Sequence, residues 1–134
     1  MLNSEYFSQQ LVVPASAIDE REHVNNLSYL QWCLDAAEAH WKRNASAELL
    51  KKYVWYVLRH TINYKAAAYE GEVLEIKTWV ESSEGVRSER AYSITRISDE
   101  KVLVTAQTLW CLLDATTQKP AMITEEIRTL FMSN

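Results

Sequence analysis

The sequence contains Asp19-Glu-Arg-Glu-His-Val-Asn-Asn-Leu-Ser-Tyr-Leu-Gln-Trp32, in which a polar turn runs directly into a long apolar segment. This segment predicts a helix from Leu27 to about Lys42, and because its polar positions form no wide face we expect other structure to surround it. Asn25 or Asn26 is a suitable N-cap, since an amide oxygen accepts from the free N–H groups of a first helical turn. The N-terminus of such a helix favours an oxyanion, and Asp19 lies a few residues upstream.

The segments around this helix alternate with a period of two, as β-strands do. The predicted strands are Tyr6–Pro14, Val54–Tyr64, Val73–Glu81, Val86–Ile97 and Val102–Leu113. Short turns between consecutive strands require antiparallel neighbours. Ser46 is expected to cap a short second helix, and Thr124 a closing helical turn from Glu125 to Met132. The pattern predicts one α+β domain over residues 1–134, with a single helix against one face of a five-stranded antiparallel sheet.

The alternation also predicts which side chains share a face of each strand. In the strand from residue 54 to 64, one face is expected to hold Val54, Tyr56, Leu58, His60, Ile62 and Tyr64. In the next strand Leu74, Ile76 and Val80 are expected to point inward. Apolar residues on faces that the helix does not cover predict an oligomer, and these are Trp55, Val57, Trp79 and Leu109.

Composition excludes several classes of function. The chain of 134 residues is 48% hydrophobic and carries a net charge of -4, which argues against a nucleic-acid partner. No apolar run approaches the ~18 residues of a membrane span, and no signal peptide is evident, so we expect a cytoplasmic protein without a membrane partner. Cys33 and Cys111 are predicted to be core thiols rather than a disulfide. The three histidines have no metal-ligand spacing, so no metal site is expected.

A longer pattern around the opening stretch supports a family assignment. Asp19-x-x-x-His23-Val24-Asn25-Asn26-x-x-Tyr29-x-x-Trp32 resembles the signature of hot-dog-fold thioesterases, the 4-hydroxybenzoyl-CoA thioesterase-like and acyl-ACP thioesterase-like group. Tyr69–Ile76 resembles the second hairpin of that family, and Leu109–Asp114 with Lys119-Pro120 its last strand and exit. The resemblance implies a sheet curled around the central helix, active sites at the interface of a homodimer, and frequent assembly of dimers into tetramers.

Three positions depart from the family pattern. The common glycine before the histidine is Glu22, and a second acidic residue two places before Asp19 is replaced by Ala17. Arg21 stands where the plant acyl-ACP branch has asparagine.

The resemblance implies a thioester hydrolase with Asp19 as nucleophile or general base. The first backbone amides of the helix, near Asn26, would polarise the thioester carbonyl. His23 either orients the acyl group or Asp19, or anchors the loop, and Asn25 acts first as a cap. No cofactor is implied beyond the coenzyme A or acyl carrier protein that forms part of the substrate.

Other side chains suit either a binding role or an ordinary structural one. Tyr29, Trp32 and His60 are candidates for the wall of an acyl pocket, although a core position is favoured for Tyr29 and Trp32 and a core or interface position for His60. Glu38 and Asp35 lie on the helix, where they are either a second acid or solvated residues. The phosphates of coenzyme A need local cations on an acidic protein. The candidates, which scattered surface charge explains equally well, are Arg87, Arg90 and Lys65.

The sequence therefore predicts a cytoplasmic acyl thioesterase that releases a carboxylic acid from acyl-CoA or acyl-ACP. The alternative is a non-catalytic module of the same fold that binds acyl thioesters, and a purely structural oligomer is a third possibility. A hot-dog dehydratase is disfavoured, because its usual catalytic histidine followed by an acid on the helix is not found.

Overall fold

One long helix and a five-stranded sheet form most of the chain, whose structure, a computed structural model, describes residues 3–133. The helices are α1 (Asn26–Asn44), α2 (Ala47–Lys52) and α3 (Glu125–Thr129). The strands are β1 (Asn3–Ser4), β2 (Phe7–Val12), β3 (Tyr53–Tyr64), β4 (Val73–Glu84), β5 (Arg87–Arg96), β6 (Lys101–Asp114) and β7 (Met132–Ser133).

The large sheet has the strand order β2-β4-β5-β6-β3, and every neighbouring pair is antiparallel. This confirms the predicted α+β architecture of five antiparallel strands and one long helix. Strands β1 and β7 form a separate two-stranded sheet that the sequence pattern did not predict. Because Met132 pairs with Ser4 there, α3 ends at Thr129 rather than at Met132.

The helix starts follow their predicted caps. Asn25 is the N-cap of α1, and its Oδ1 accepts from the Leu27 N–H at 2.8 Å. Ser46 and Thr124 cap α2 and α3 in the same way. None of the helices within residues 3–133 combines the length and the apolar character needed to cross a membrane.

One face of α1 is buried at helical spacing against the sheet. Its buried side chains are Tyr29, Cys33, Ala36, Ala37, His40 and Trp41. The first four of these pack with fully buried sheet residues such as Leu74, Ile76 and Ile94, two of which the sequence predicted to point inward. Cys33 and Cys111 are both buried and unpaired, as predicted, and burial raises the pKa of the Cys33 thiol to about 12.

Strand β3 contains a bulge that reverses its faces. Val57 pairs with Trp110 and Arg59 pairs with Leu109, so Leu58 is the extra residue. An extra residue shifts a strand's side-chain alternation by one position. The predicted face is therefore correct for His60 and Ile62 but wrong before the bulge, where Tyr53, Trp55 and Val57 face inward and Val54, Tyr56 and Leu58 are exposed.

The inward position of Trp55 also corrects the predicted oligomer surface. Its ring packs against Trp41 of α1, with the centroids 5.7 Å apart, and Trp79 packs similarly against Tyr6. The exposed apolar side chains of β3 are instead Val54, Tyr56 and Leu58.

Candidate active site

Asp19 lies in a tight hydrogen-bonded turn. Its backbone N–H donates to the His23 carbonyl at 2.9 Å, and its own carbonyl accepts from the Glu22 N–H at 3.0 Å. The half-buried carboxylate accepts from the Arg21 N–H through Oδ1 at 2.9 Å. Oδ2 makes no hydrogen bond to any residue between 3 and 133, so one oxygen of the carboxylate is available for chemistry.

This turn is bonded to the start of α1. Asn25 donates its N–H to the Ala17 carbonyl at 2.8 Å, and Ile18 pairs with Val24 across the turn. Ala68 ties the same region to the segment before β4, because its carbonyl accepts from the Val24 N–H at 3.1 Å. The turn and the helix start are therefore held as one unit.

The first turn of α1 retains a donor that no described residue engages. The Leu27 N–H is taken by the Asn25 side chain and the Ser28 N–H by the Asn25 carbonyl at 2.9 Å. The Asn26 N–H makes no hydrogen bond to any described residue. Since this donor stands at the positive end of the helix, it is suited to a developing oxyanion.

Glu22 adopts a backbone φ of 63°, in the left-handed region that favours glycine. A glycine, which the resemblance leads one to expect at this position, would suit the shape of the turn. In this chain the turn keeps that shape with a side chain present.

The remaining predicted residues near the helix start have clear structural contacts. The His23 ring is half-buried and lies edge-on to Tyr69, with the centroids 5.5 Å apart. Tyr29 is buried, and its hydroxyl accepts from the Ala68 N–H at 2.9 Å. Trp32 packs edge-on against Tyr29. Tyr29 therefore belongs to the core, and it also fixes the segment that holds the Asp19 turn.

The predicted residues on the strands are placed differently. His60 faces inward from β3, and its Nδ1 lies 3.0 Å from the Thr108 hydroxyl. Arg87 is exposed at the first position of β5, and Lys65 is exposed just after β3. Arg90 differs from the expected surface cation, because it is only 5% exposed.

A groove of about 620 Å³ opens between the second half of α1 and the sheet. Its lining includes Leu34 and Trp41 from the helix, Trp55 from β3, and Arg90 and Trp110 from the central strands. Asp35 and Glu38 also line it, whereas Asp19 and Asn26 of the same chain do not.

Below this groove lies a polar cluster that the sequence reasoning did not identify. Arg90 donates through Nη1 to His40 Nδ1 at 2.9 Å and to the Thr78 hydroxyl at 3.2 Å. The other ring nitrogen of His40, Nε2, lies 2.8 Å from Glu5 Oε1. Asn44 and Arg43 donate to the same Glu5 oxygen, each at 2.7 Å. One signal was available: His40 follows Cys33, Ala36 and Ala37 at helical spacing, which places it on the buried face.

The family model of the acyl-ACP thioesterase N-terminal domain matches residues 4–131. The chain belongs to this family. It is therefore a thioester hydrolase with the hot-dog fold, acting on acyl thioesters. No characterised protein matches the chain significantly by sequence alone.

Solved structures show the same fold. A 1,4-dihydroxy-2-naphthoyl-CoA thioesterase from Synechocystis superposes with a TM-score of 0.82 at 19% identity, covering 94% of this chain and 95% of that one. The probable thioesterase YbaW from Escherichia coli gives 0.83 at 23% identity, covering 92% and 95%. An acyl-ACP thioesterase from Bacteroides thetaiotaomicron gives 0.79 at 23% identity, covering 87% of this chain and 49% of that one.

Proposed function

We propose that the chain hydrolyses an acyl thioester at the start of α1, with Asp19 as the catalytic carboxylate and the Asn26 N–H as the oxyanion donor. The observation that carries this proposal is the hydrogen-bonded turn that joins Asp19 to the N-cap of α1, where the Asn26 N–H has no partner among the described residues.

Thioester hydrolysis places negative charge on the carbonyl oxygen in the transition state. A fixed backbone donor stabilises that charge without reorganising, and losing one such donor typically costs about 3–4 kcal/mol. The free oxygen of Asp19 either attacks the carbonyl carbon, which expels the carrier thiolate and leaves a mixed anhydride that water hydrolyses, or removes a proton from a water molecule that attacks the carbon and expels the thiolate. Rapid-quench mass spectrometry for an acyl adduct on Asp19 distinguishes the two routes.

The acyl group needs an apolar site near this catalytic turn, and a second copy of the chain supplies one. Strand β3 is an edge of the sheet, and it carries exposed apolar side chains. Its last residue, Tyr64, donates through its hydroxyl to the Asn26 carbonyl at 3.3 Å, whereas its first residue, Tyr53, lines the groove. Antiparallel pairing of two β3 edges would place the end of one beside the start of the other. The Asp19 turn of one subunit would then face the groove of its partner.

The proposed substrate is an acyl group on coenzyme A or acyl carrier protein. The carriers named for proteins of the same fold support this, since one is a naphthoyl-CoA thioesterase and another an acyl-ACP thioesterase. A Staphylococcus aureus protein of this fold has also been crystallised in complex with coenzyme A. Arg87 and Lys65, both exposed, are our candidates for contacts with the phosphates of the carrier.

Replacement of the carboxylate tests this function. Asp19→Asn should lower kcat/KM on acyl-CoA substrates by about 10²–10⁴-fold, the range expected for loss of a positioned acid or base. Glu20→Gln is the matched control, because Glu20 is an exposed neighbour in the same turn and should change little. An Asp19→Asn variant with the wild-type rate would refute the assignment of Asp19. Wild-type protein that binds acyl-CoA without hydrolysing it would instead favour the non-catalytic binding module.

A further inference from the structure

Arg90 is a charged side chain inside the protein, and no described residue places an opposite charge beside it. It is 5% exposed, and its protein hydrogen bonds go from Nη1 to His40 and Thr78. Among residues 3–133, no carboxylate oxygen lies within the 4.0 Å of an ion pair with it. Buried charges are normally paired, so this guanidinium calls for an explanation.

The adjacent histidine anchors Arg90 but does not neutralise it. A guanidinium can only donate, so His40 Nδ1 must accept and the ring proton must be on Nε2, which donates to Glu5. Burial lowers the pKa of His40 to about 4, and His40 is therefore neutral at pH 7. Burial also lowers the pKa of Arg90, to about 10, which still leaves it protonated. The neutral imidazole thus separates the Glu5 charge from the Arg90 charge.

One edge of the guanidinium remains free. Both hydrogens of Nη1 are engaged by His40 and Thr78, whereas Nε and Nη2 make no hydrogen bond to any described residue. Neither nitrogen is a fully buried unpartnered atom, so both keep some accessible surface, and Arg90 lines the groove. The Nε–Nη2 edge is the one that binds a carboxylate through two parallel hydrogen bonds.

The surroundings of this edge suit an anion on an apolar chain. Phe131 lies beneath the guanidinium, with Cζ 5.1 Å from the ring centroid, and Leu34 and Val80 line the same groove. Trp110, another lining residue, has a buried Nε1 without a described partner. A chain of phosphates would need several cations around the groove, but the rim of the groove carries the anionic side chain of Glu38. That carboxylate is already paired with Lys42 at 2.7 Å.

We propose that the groove binds acyl groups that end in a carboxylate, and that the Nε–Nη2 edge of Arg90 receives this terminal carboxylate. The inference rests on the proposed hydrolysis of acyl thioesters and names the substrate class, ω-carboxyacyl thioesters. Arg90 is then a specificity-determining residue, and His40 positions it.

Matched substrate pairs test the proposal. Wild-type protein is assayed on ω-carboxyacyl-CoAs from succinyl to sebacoyl and on fatty acyl-CoAs of equal length. We expect at least one carboxylated substrate to exceed its fatty counterpart about 10-fold or more in kcat/KM, as a bidentate charge-assisted contact implies. In Arg90→Met the rate on that substrate should fall about 100-fold while the fatty counterpart stays within about 3-fold. Arg90→Lys, which keeps the charge but loses the planar edge, should lie between the two.

The half-buried Arg128, which is ion-paired with Glu125 at 2.9 Å, supplies the control, and Arg128→Met should leave both rates unchanged. The proposal is overturned if wild-type protein prefers the fatty substrate at every length, or if Arg90→Met lowers both rates equally. If Arg90→Met does not fold, the wild-type preference alone decides. If wild-type protein hydrolyses no thioester, the proposed function fails separately. In that case the carboxylate site is tested by calorimetry with adipate, suberate and sebacate. Binding that becomes weaker in Arg90→Lys supports the site, whereas the absence of binding to the wild-type protein overturns it.

Discussion

At the scale of single residues, the turn that carries Asp19, the carboxylate proposed for catalysis, contains a residue with an unfavourable backbone conformation. Glu22 has a φ of 63°, a conformation that costs a residue with a Cβ about 1 kcal/mol relative to glycine. We therefore expect Glu22→Gly to raise the free energy of unfolding by about 0.5–1 kcal/mol, measured by urea denaturation.

The neighbouring Glu20 provides the comparison for that experiment. It is exposed in the same turn, but its φ is not positive. Glu20→Gly should therefore lower the free energy of unfolding, because glycine adds freedom to the unfolded chain without relieving strain. Equal effects of the two substitutions would show that the backbone at Glu22 is not strained.

His40 predicts a dependence of stability on pH. Its pKa is about 4 in the folded protein against 6.5 ordinarily, so the unfolded chain binds more protons between these values. Stability due to His40 is complete above about pH 6.5 and is lost as the pH falls towards 4, by about 3 kcal/mol at most. Urea denaturation across this pH range measures the loss.

The variant His40→Gln separates this effect from other titrations. Glutamine can accept from Arg90 and donate to Glu5, but it does not titrate. The pH dependence of unfolding between 6.5 and 4.5 should therefore be shallower in His40→Gln than in the wild type. Burial also lowers the pKa of His60, which is unchanged in the variant. Parallel curves of stability against pH for the two proteins would therefore contradict the assignment of the pH dependence to His40.

Local sequence signals predicted one group of residues and missed another. The placement of Asp19 and Asn25 at the start of α1 was predicted because a turn, a cap and a helix start follow one another along the chain. Arg90 was read as a candidate phosphate contact or scattered surface charge, because its environment comes from distant positions. His40 is 50 residues away from Arg90, and Glu5 is a further 35 away from His40. No local pattern reports such contacts.

At the scale of elements, β3 shows where period-two reasoning stops. Alternation located the strand within one residue of each end, since the strand spans Tyr53–Tyr64. It could not reveal the extra residue, Leu58, because both faces of β3 are apolar before the bulge and so the alternation there is ambiguous. The error moved Trp55 from the inner to the outer face and so misplaced the proposed interface.

The free edge of β3 predicts a homodimer. Wild-type protein should sediment at twice the 15.5 kDa of the chain. Tyr56→Asp should shift it towards monomer and lower hydrolysis as well, because a charge on this strand disfavours pairing and each proposed site needs both subunits. Tyr6→Asp is the matched control, since Tyr6 is 61% and Tyr56 59% exposed, but Tyr6 precedes β2 at the opposite edge. A monomeric wild type, or dissociation by Tyr6→Asp alone, would exclude a β3 interface.

At the scale of the whole molecule, the order and direction of the main elements followed from the sequence. Five alternating segments, short turns and one apolar helix leave few arrangements other than an antiparallel sheet against that helix. The closing pair β1–β7 did not follow, because two-residue strands have no periodicity to detect. The groove over Arg90 did not follow either, since helix, sheet and the residues after α3 meet only in the folded chain.

The bulge at Leu58 shifts the side-chain alternation of β3 and divides this strand into two halves, whose residues can be substituted independently of each other. Before residue 58 its odd-numbered side chains form the wall beside Trp41, and from residue 60 its even-numbered side chains support the beginning of α1. Substitutions of the odd-numbered residues in the earlier half can therefore reshape the groove without disturbing the Asp19 turn of the same chain. Proteins that evolve from this chain can therefore acquire a preference for other acyl groups while they catalyse the same reaction.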